Sequence, residues 1–209
     1  MKLLIGVPCV DYIHAEFAKS LVNLTRELDH KGVNFEVFLC AGSLIHIARD
    51  KIACKAINEE HTHVLWLDSD MVFGPDLLDD LSFSGKPFVT GICATRRPPY
   101  LNCIFSEIDD INHLAHVEQI PSAAFEVQGC GFACVLMETG ILKAVMESNH
   151  GRCFLPMELY GEDLAFCMRA RRLGYHIWAE PTVRPGHISH SVVYYPDAHE
   201  LYMKGLDNG

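Results

Sequence analysis

Two acidic motifs are the residues whose type and spacing suit chemistry best. Asp68-Ser69-Asp70 directly follows the apolar run His63–Leu67, and Gly161-Glu162-Asp163 opens a helical pattern. Two carboxylates separated by one residue can bind a divalent cation while also accepting a hydrogen bond from a ligand hydroxyl. A carboxylate in a cleft can remove the proton from an attacking hydroxyl group. The two motifs therefore indicate a metal site and a general base.

A histidine motif, Gly186-His187-Ile188-Ser189-His190, follows the last apolar run of the chain. Neutral imidazole binds Mn²⁺ and similar ions, so a histidine beside carboxylates would form a mixed nitrogen and oxygen site. All three motifs also have purely structural interpretations. Acids stabilise turns and the first turn of a helix, and most histidines are surface or packing residues.

The elements that position these motifs follow from the hydrophobic pattern. Strands are predicted at residues 2–8, 34–40 and 63–67, separated by helices at 15–30 and 43–60, with Ser43 as the cap of the second helix. Alternating strands and helices indicate a parallel sheet covered by helices. Ligands of such sheets bind beyond the carboxyl ends of the strands, which is where Asp68-Ser69-Asp70 lies.

The second half of the chain has a less regular pattern. We predict a short helix at 75–81, strands at 88–93 and 175–179, a helix capped by Thr139, and a helix that opens at residue 161 and ends at Gly174; residues 133–137 form an apolar run. Residues 94–125 are mixed: Arg96-Arg97-Pro98-Pro99 predicts a loop, and Asp109-Asp110 with residues 113–120 indicates a β excursion or a mobile segment. The tail from 181 to 209 has weak periodicity.

Composition limits the class of protein. The chain has 209 residues, 49% of them hydrophobic, and a net charge of −10. This length favours a single domain spanning residues 1–209, and the acidic balance disfavours nucleic-acid binding. No signal peptide or membrane span is evident, so we expect a soluble, cytoplasmic protein. Nine cysteines without a C-x-x-C pair are expected to be reduced thiols.

Five segments in this order resemble one known family, the GT-A glycosyltransferases, and in particular their large inverting, glycosyltransferase 2-like family. They are Val7-Pro8, Ala48-Arg49-Asp50, Trp66-Leu67-Asp68-Ser69-Asp70-Met71, Gly161-Glu162-Asp163-Leu164-Ala165-Phe166-Cys167 and Val183-Arg184-Pro185-Gly186-His187. The resemblance extends from about residue 3 to 190. It implies an α/β GT-A fold with a mixed, mostly parallel sheet flanked by helices. It also implies a metal-dependent transfer of a sugar from a nucleotide diphosphate sugar, with inversion.

The resemblance assigns roles to the acids and the histidine. Asp70 would bind Mn²⁺ or Mg²⁺ between the donor phosphates, and Asp68 would lie near the ribose or the metal and its water shell. His187 would complete the metal site. Asp163 would be the catalytic base, with Glu162 supporting it or contacting the acceptor.

The resemblance also implies a donor-binding set, which comprises Val7, Pro8, Cys9, Arg49, Asp68, Ser69, Gly129 and Gly131. The first three would lie against the nucleobase. Arg49 would face the nucleotide or order the Asp68–Asp70 loop, although a surface salt bridge is an equal alternative. Gly129 and Gly131 would line the donor sugar and acceptor region, or would mark a bulge. Lys51, Arg96 and Arg97 are candidates for phosphate contacts, and the two arginines equally suit a solvated loop.

Two departures from the family bear on specificity. The acid that binds uracil in many relatives is absent from Leu39-Cys40-Ala41-Gly42-Ser43, so the donor is left as a UDP- or GDP-sugar. The Gln-x-x-Arg-Trp motif of processive relatives is also absent, which favours a single transfer. The acceptor is unidentified: a glycan, a lipid-linked glycan, a protein or a modified base.

Three other functions were weighed. A sugar nucleotidyltransferase would carry a Gly-rich basic loop after the first strand, which Pro8-Cys9-Val10-Asp11-Tyr12 lacks. A non-catalytic nucleotide- or sugar-binding module would share the fold without turnover. A structural zinc protein is the weakest alternative, because Cys130 and Cys134 lack partners at ligand spacing.

Overall fold

The computed structural model describes residues 1–109, 113–189, 192–195 and 197–207. The strands are β1 (Lys2–Pro8), β2 (Asn34–Cys40), β3 (His63–Leu67), β4 (Met71–Val72), β5 (Phe88–Gly91), β6 (Ile104–Ile108), β7 (Leu114–His116), β8 (Phe125–Val127), β9 (Gly129–Cys130), β10 (Cys134–Glu138), β11 (Ile177–Glu180), β12 (Gly186–Ser189) and β13 (Val192–Tyr194). The helices are α1 (Ala15–His30), α2 (Ile45–Asn58), α3 (Leu77–Ser82), α4 (Thr139–Ser148), α5 (Glu162–Arg172) and α6 (Ala198–Asp207).

A seven-stranded sheet in the order β2-β1-β3-β10-β5-β11-β8 forms the centre of the fold. Strands β1, β2, β3, β5 and β11 run in one direction, whereas β10 and β8 run against them. The sheet is therefore mixed and mostly parallel, as expected. Strands β1, β2 and β3 form its parallel half, so their carboxyl ends meet at one edge.

Helices cover both faces of this sheet because each presents an apolar stripe to it. Helix α1 buries Phe17, Leu21, Leu24 and Leu28, a spacing of three to four residues, and packs with α3 on one face. Helices α2, α4 and α5 pack on the other face around a cluster of aromatic rings. The predicted α/β architecture flanked by helices is confirmed.

Two predicted caps differ from the structure. Helix α2 begins at Ile45 with Leu44 at the N-cap and no side-chain cap, and the Ser43 hydroxyl accepts a hydrogen bond from Lys51 Nζ at 2.8 Å. Helix α4 has Glu138 at the N-cap, and Thr139 is its first residue.

The C-terminal region contains more regular structure than its weak periodicity indicated. Strand β12 pairs with β13 on one side and with β4 on the other, which places His187 opposite Met71. Helix α6 follows. Strands β6, β7 and β9 form a second three-stranded sheet, in which β7 lies in the segment interpreted as a β excursion or a mobile segment, and β6 and β9 lie on either side of that segment in the sequence. Asp110 and His190 lie outside the described residues.

Two further expectations concern thiols and membranes. All nine cysteines are free. Within the described ranges, no helix has both the length and the apolar character that crossing a bilayer requires.

Candidate active site

A cavity of about 630 Å³ lies at the carboxyl ends of β1 and β3, and we call it the first cavity. It is lined by Pro8, Cys9, Val10, Asp11, Tyr12, His14, Ser43, Ile45, Ala48, Arg49, Asp68, Ser69, Asp70, Arg96, Glu162 and Asp163. The cavity thus joins both acidic motifs, although they are nearly a hundred residues apart in sequence. This is the edge of the sheet at which open α/β folds bind ligands.

Asp70 and His187 form a pair at this cavity because β12 pairs with β4. The backbone N–H of Ile188 donates to the Asp70 carbonyl at 2.8 Å, and His187 Nε2 lies 3.4 Å from Asp70 Oδ2. His187 Nδ1 donates to the Ala94 carbonyl at 2.7 Å. That bond fixes the ring orientation, so Nε2 is the nitrogen directed at Asp70.

The charges around this pair favour its ionised forms. Burial alone would disfavour both charges, but the hydrogen bond to Asp70 raises the pKa of His187. Reciprocally, His187 and then Arg96 lower the pKa of Asp70 against the effect of burial. Arg96 Nη1 lies 2.8 Å from Asp70 Oδ2. Two cationic groups therefore compensate this carboxylate.

Asp70 and His187 fit a divalent cation of the Mn²⁺ type. A carboxylate oxygen and an imidazole nitrogen face each other, and the second ring nitrogen is held by a backbone carbonyl, as in most histidines that bind metals. Asp68 is directed elsewhere. Among the described residues, its carboxylate does not join Asp70 and His187 in a cluster whose ligand atoms all lie within 4.8 Å of one another.

Asp68 instead pairs with Arg49, which connects the two acidic motifs. The Arg49 side chain is only 4% exposed, and its Nη2 lies 3.0 Å from Asp68 Oδ1. Its Nη1 lies 2.7 Å from Glu162 Oε1. Its guanidinium also lies over the ring of Phe132, 5.4 Å from the centroid. Arg49 thus contacts the Asp68–Asp70 loop directly, and because its side chain is buried, its ion pairs are not surface salt bridges.

Electrostatics keep Arg49 charged. Burial opposes its charge, but Asp68, Glu162 and Asp163 raise its pKa. Burial raises the pKa of Asp68, although Arg49 counteracts this. A single buried cation therefore supports three carboxylates, and its removal would leave them to repel one another.

Asp163 is the second residue of α5, and it lines the first cavity. Burial raises its pKa, while Arg49 opposes the shift. Its Oδ1 accepts a hydrogen bond from the N–H of Leu164 at 2.7 Å. A Cβ added to Gly131 would lie 3.8 Å from Asp163 Oδ2, so the glycine leaves room beside this oxygen. An acid with a raised pKa and an open side is suited to accept a proton.

The loop before α5 is also fixed by α2. Asp50 Oδ1 accepts hydrogen bonds from the N–H groups of Cys153 at 2.8 Å and Phe154 at 2.9 Å, and Oδ2 binds Arg152. Two consecutive residues of α2, Arg49 and Asp50, thus bind the beginning of α5 and the loop before it. Arg49 holds the first residue of α5, and Asp50 holds the loop that leads to it.

The remaining residues of the implied donor set divide into two groups. Pro8, Cys9 and Ser69 line the first cavity, whereas Val7 is fully buried in the core beneath it. Gly129 does not reach the cavity: a Cβ there would meet Ile108 at 2.3 Å and the side chains of Leu164 and Cys167 at 3.4 Å. Its structural role is close packing of β9 against α5 and β6.

Some lining residues were not singled out from the sequence. Tyr12 and His14 belong to the loop after β1, and the His14 N–H donates to the Ser69 carbonyl at 3.3 Å.

Cys103 lies near Asp163 and Asp68. Burial, and then these two carboxylates, raise the pKa of its thiol to about 12. Among the basic candidates, Arg96 lines the cavity, while Lys51 binds Ser43. Tyr12 could have been predicted as a lining residue, because it is an aromatic residue in the loop after the first strand.

Sequence comparison finds no relatives: no protein-family model and no curated protein sequence matches this chain. Comparison of structures does. The chain is similar to A197 from STIV, with a TM-score of 0.67 and 15% identity over 95% of this chain and 92% of that one. It is also similar to the catalytic domain of Drosophila beta1,4galactosyltransferase 7, solved with xylobiose, with a TM-score of 0.50 and 13% identity over 95% and 69% of the two chains.

A third similar structure is that of GalNAc-T7 with UDP, GalNAc and Mn²⁺. Its TM-score is 0.52 at 10% identity, and the match covers 98% of this chain but 48% of that one. At such identities the likeness concerns the fold alone. The chain has a GT-A-like fold.

Proposed function

We propose that this chain is a metal-dependent glycosyltransferase that transfers a sugar from a nucleotide diphosphate sugar to an acceptor, with inversion at the anomeric carbon. One observation carries the proposal. Asp70, which is paired with His187, and Asp163, an acid of raised pKa, both line the first cavity at the ligand-binding edge of a GT-A-like sheet. We also propose that the chain belongs to the inverting, glycosyltransferase 2-like family and that residues 1–209 form a single catalytic domain.

The donor diphosphate is proposed to bind between Asp70 and the loop that carries Arg96. Asp70 and His187 would hold Mn²⁺ or Mg²⁺, which when bound neutralises the charge of the departing nucleotide diphosphate. Arg96 is 55% exposed and contacts Asp70, so its guanidinium can also reach a phosphate beside that carboxylate. The Mn²⁺ and UDP named for GalNAc-T7 support this choice of ligands.

Asp163 is the proposed general base. Its carboxylate would accept the proton of the acceptor hydroxyl as that oxygen attacks the donor sugar. Gly131 leaves the approach to Oδ2 open, and Glu162 is held away from this role by its ion pair with Arg49. We therefore assign Glu162 a supporting role.

The nucleobase is proposed to lie in the part of the first cavity formed by the loop after β1. Tyr12 is 74% exposed and Ile45 is 41% exposed, and both line the cavity beside Pro8. Exposed aromatic and aliphatic surface inside a cavity suits a planar ring. Either a UDP- or a GDP-sugar meets this description.

Ligand-dependent stability tests the proposal. Thermal unfolding would be followed with UDP, GDP and their sugar conjugates, with and without Mn²⁺. A ligand present at 100 times its dissociation constant adds about 2.7 kcal/mol to the free energy of unfolding. We expect one nucleotide to raise the unfolding midpoint in the presence of Mn²⁺, and Asp70→Asn to remove this rise.

Asp76→Asn is the matched control, since Asp76 is a surface carboxylate that pairs with Lys31 outside the cavity. Equal stabilisation with and without metal, and in Asp70→Asn, would contradict metal dependence. Binding without consumption of any donor sugar, across a panel of acceptors, would favour the non-catalytic binding module instead.

A further inference from the structure

A second cavity, of about 860 Å³, lies apart from the first and shares no lining residue with it. It is lined by Ile92, Leu101, Asn102, Ala115, His116, Val117, Glu118, Gln119, Ile120, Arg184, His199 and Glu200. These residues come from the end of β5, from the segment around β7, from the approach to β12 and from α6. Its size is within the range of small-molecule sites.

One antiparallel hairpin, residues 93–103, separates the two cavities. The N–H of Cys103 donates to the Cys93 carbonyl at 2.8 Å, and Ala94 pairs with Asn102. Successive side chains of an extended strand point to opposite faces. Cys103 accordingly lies near Asp163 and Asp68, whereas Asn102 lines the second cavity.

The second cavity is rich in hydrogen-bond acceptors. His116 Nδ1 donates to the Asn102 carbonyl at 2.6 Å, and His199 Nδ1 donates to the Pro99 carbonyl. In the neutral tautomer that donates through Nδ1, Nε2 is an acceptor. The carboxylates of Glu118 and Glu200 add further acceptors to the lining.

These acceptors are too widely spread for a metal ion. No three of the cavity's imidazole nitrogens and carboxylate oxygens lie within 4.8 Å of one another in the part of the chain that the structure describes. Two carboxylates also disfavour an anionic ligand, while the Arg184 guanidinium disfavours a cation. A neutral ligand with several hydroxyl groups matches the lining best.

The second cavity also offers a hydrogen-bond donor and apolar side chains to a ligand. Arg184 uses Nε to donate to the Pro181 carbonyl at 3.0 Å, and its side chain is exposed at the cavity. Ile92, Leu101 and Ile120 supply apolar lining. A sugar ring presents hydroxyl groups around its edge and C–H groups on its faces, so it can use both kinds of surface.

We propose that the second cavity is a saccharide-binding site. Sugar hydroxyls donate to His116, His199 and the two carboxylates, the Arg184 guanidinium donates to ring or hydroxyl oxygens, and a ring face lies on Leu101 and Ile120, which are both partly exposed. This inference goes beyond the proposed function, because binding here requires neither a nucleotide nor a metal ion.

Saturation-transfer NMR on the full chain, without nucleotide or metal, tests this site. The probes are the methyl glycosides of glucose, galactose, mannose, xylose and N-acetylglucosamine. We expect at least one to bind and its dissociation constant to rise about tenfold or more in Glu118→Ala and Arg184→Ala. Both side chains are exposed, so the variants should keep the unfolding midpoint of the parent chain.

Asp70→Asn, in the first cavity, is the matched control and should bind the same glycoside unchanged. The proposal is overturned if no glycoside binds, or if binding is lost in Asp70→Asn but retained in Glu118→Ala and Arg184→Ala. Failure of nucleotides to stabilise the protein would remove the proposed transfer reaction and leave this measurement unaffected, so the two failures are distinguishable.

Discussion

Two carboxylates of the first cavity have pKa values shifted in opposite directions by their surroundings. Asp70 lies beside His187 and Arg96, which lower its pKa, whereas burial raises that of Asp163. Opposite shifts within one site separate the functions of otherwise identical groups. Asp70 is suited to remain ionised as a ligand, and Asp163 is suited to take up a proton.

Asp163 should lower the stability of the folded chain at neutral pH. Burial raises its pKa in the folded chain above the ordinary value of an aspartate, so ionisation is harder in the folded than in the unfolded state. We expect Asp163→Asn to raise the free energy of unfolding at pH 7. As the pH falls through the folded-state pKa, the parent carboxyl becomes protonated and the difference between the two proteins should disappear.

Urea unfolding of both proteins between pH 4 and 8 measures this difference. Asp76→Asn, at an exposed position outside the first cavity, is the control and should show no such pH-dependent gain. A parent chain that is more stable than Asp163→Asn at pH 7 would contradict the assignment of a raised pKa.

The residues named from motifs were largely those that the structure brings together. Asp70, His187 and Asp163 could be predicted because residue type and position after a strand or before a helix carried the signal. The contact of His187 with the Ala94 carbonyl could not be predicted, because every residue has a backbone carbonyl and the residue type therefore does not indicate which one is used. Gly129 was misplaced for a related reason: a glycine required for packing looks like one that admits a ligand.

Helix α2 connects both halves of the candidate site through two consecutive residues. Arg49 binds Asp68 and Glu162, while Asp50 binds the backbone of residues 153 and 154. The mutual position of β3 and α5 therefore depends on one helix, and substitutions in it should affect both acidic motifs together.

Replacing Arg49 should be destabilising. Arg49→Met leaves the partly buried carboxylates of Asp68 and Glu162, 27% and 15% exposed, without their cation, and we expect a loss of about 1–3 kcal/mol. Arg49→Lys keeps the charge but cannot reach both partners with one planar group, so we expect an intermediate loss. Urea unfolding measures both, and a loss of less than about 1 kcal/mol in Arg49→Met would show that the pairs are dispensable.

Asp50 should stabilise the loop that leads to α5. Asp50→Ala removes the acceptor from the N–H groups of Cys153 and Phe154, which are buried, at about 1–3 kcal/mol for each unsatisfied group. Asp50→Asn retains one acceptor oxygen and should lose less. Hydrogen exchange of these two amides checks the mechanism: unchanged protection in Asp50→Ala would contradict it.

Periodicity located the elements of the parallel half but gave no information on strand direction. Residues 133–137 form a continuous apolar run, which is compatible with either orientation, and the structure uses β10 antiparallel between β3 and β5. Strand β12 was missed because its four residues owe their strand conformation to pairing with β4 and β13 and not to a local pattern. Helix α6 was missed although its ten residues include Leu201, Tyr202 and Met203.

The whole molecule is held by the packing of the central sheet against helices on both faces. At Gly6, in the middle of β1, the sheet approaches α2 so closely that an added Cβ would lie 2.5 Å from Ile52 Cγ2. The absence of a side chain there sets the distance between the two layers.

Gly6→Ala should therefore cost about 1–3 kcal/mol through overpacking. Gly140→Ala is the matched control, because Gly140 lies in α4 with open space around it, and alanine favours helix by about 0.5–1 kcal/mol. Thermal unfolding should lower the midpoint in the first variant and raise it slightly in the second. A Gly6→Ala/Ile52→Ala protein that loses the full sum of both single changes would contradict steric overlap as the cause.

The sheet order also has a consequence for how the chain is made. Strands β1, β2 and β3 are adjacent and lie within the first 67 residues, so this half can pair as it leaves the ribosome. The next position, beside β3, belongs to β10, which ends only at Glu138. A nascent chain shorter than that presents the apolar edge of β3 without its neighbour, and such edges invite aggregation. Emergence of residue 138 therefore completes the pairing of β3.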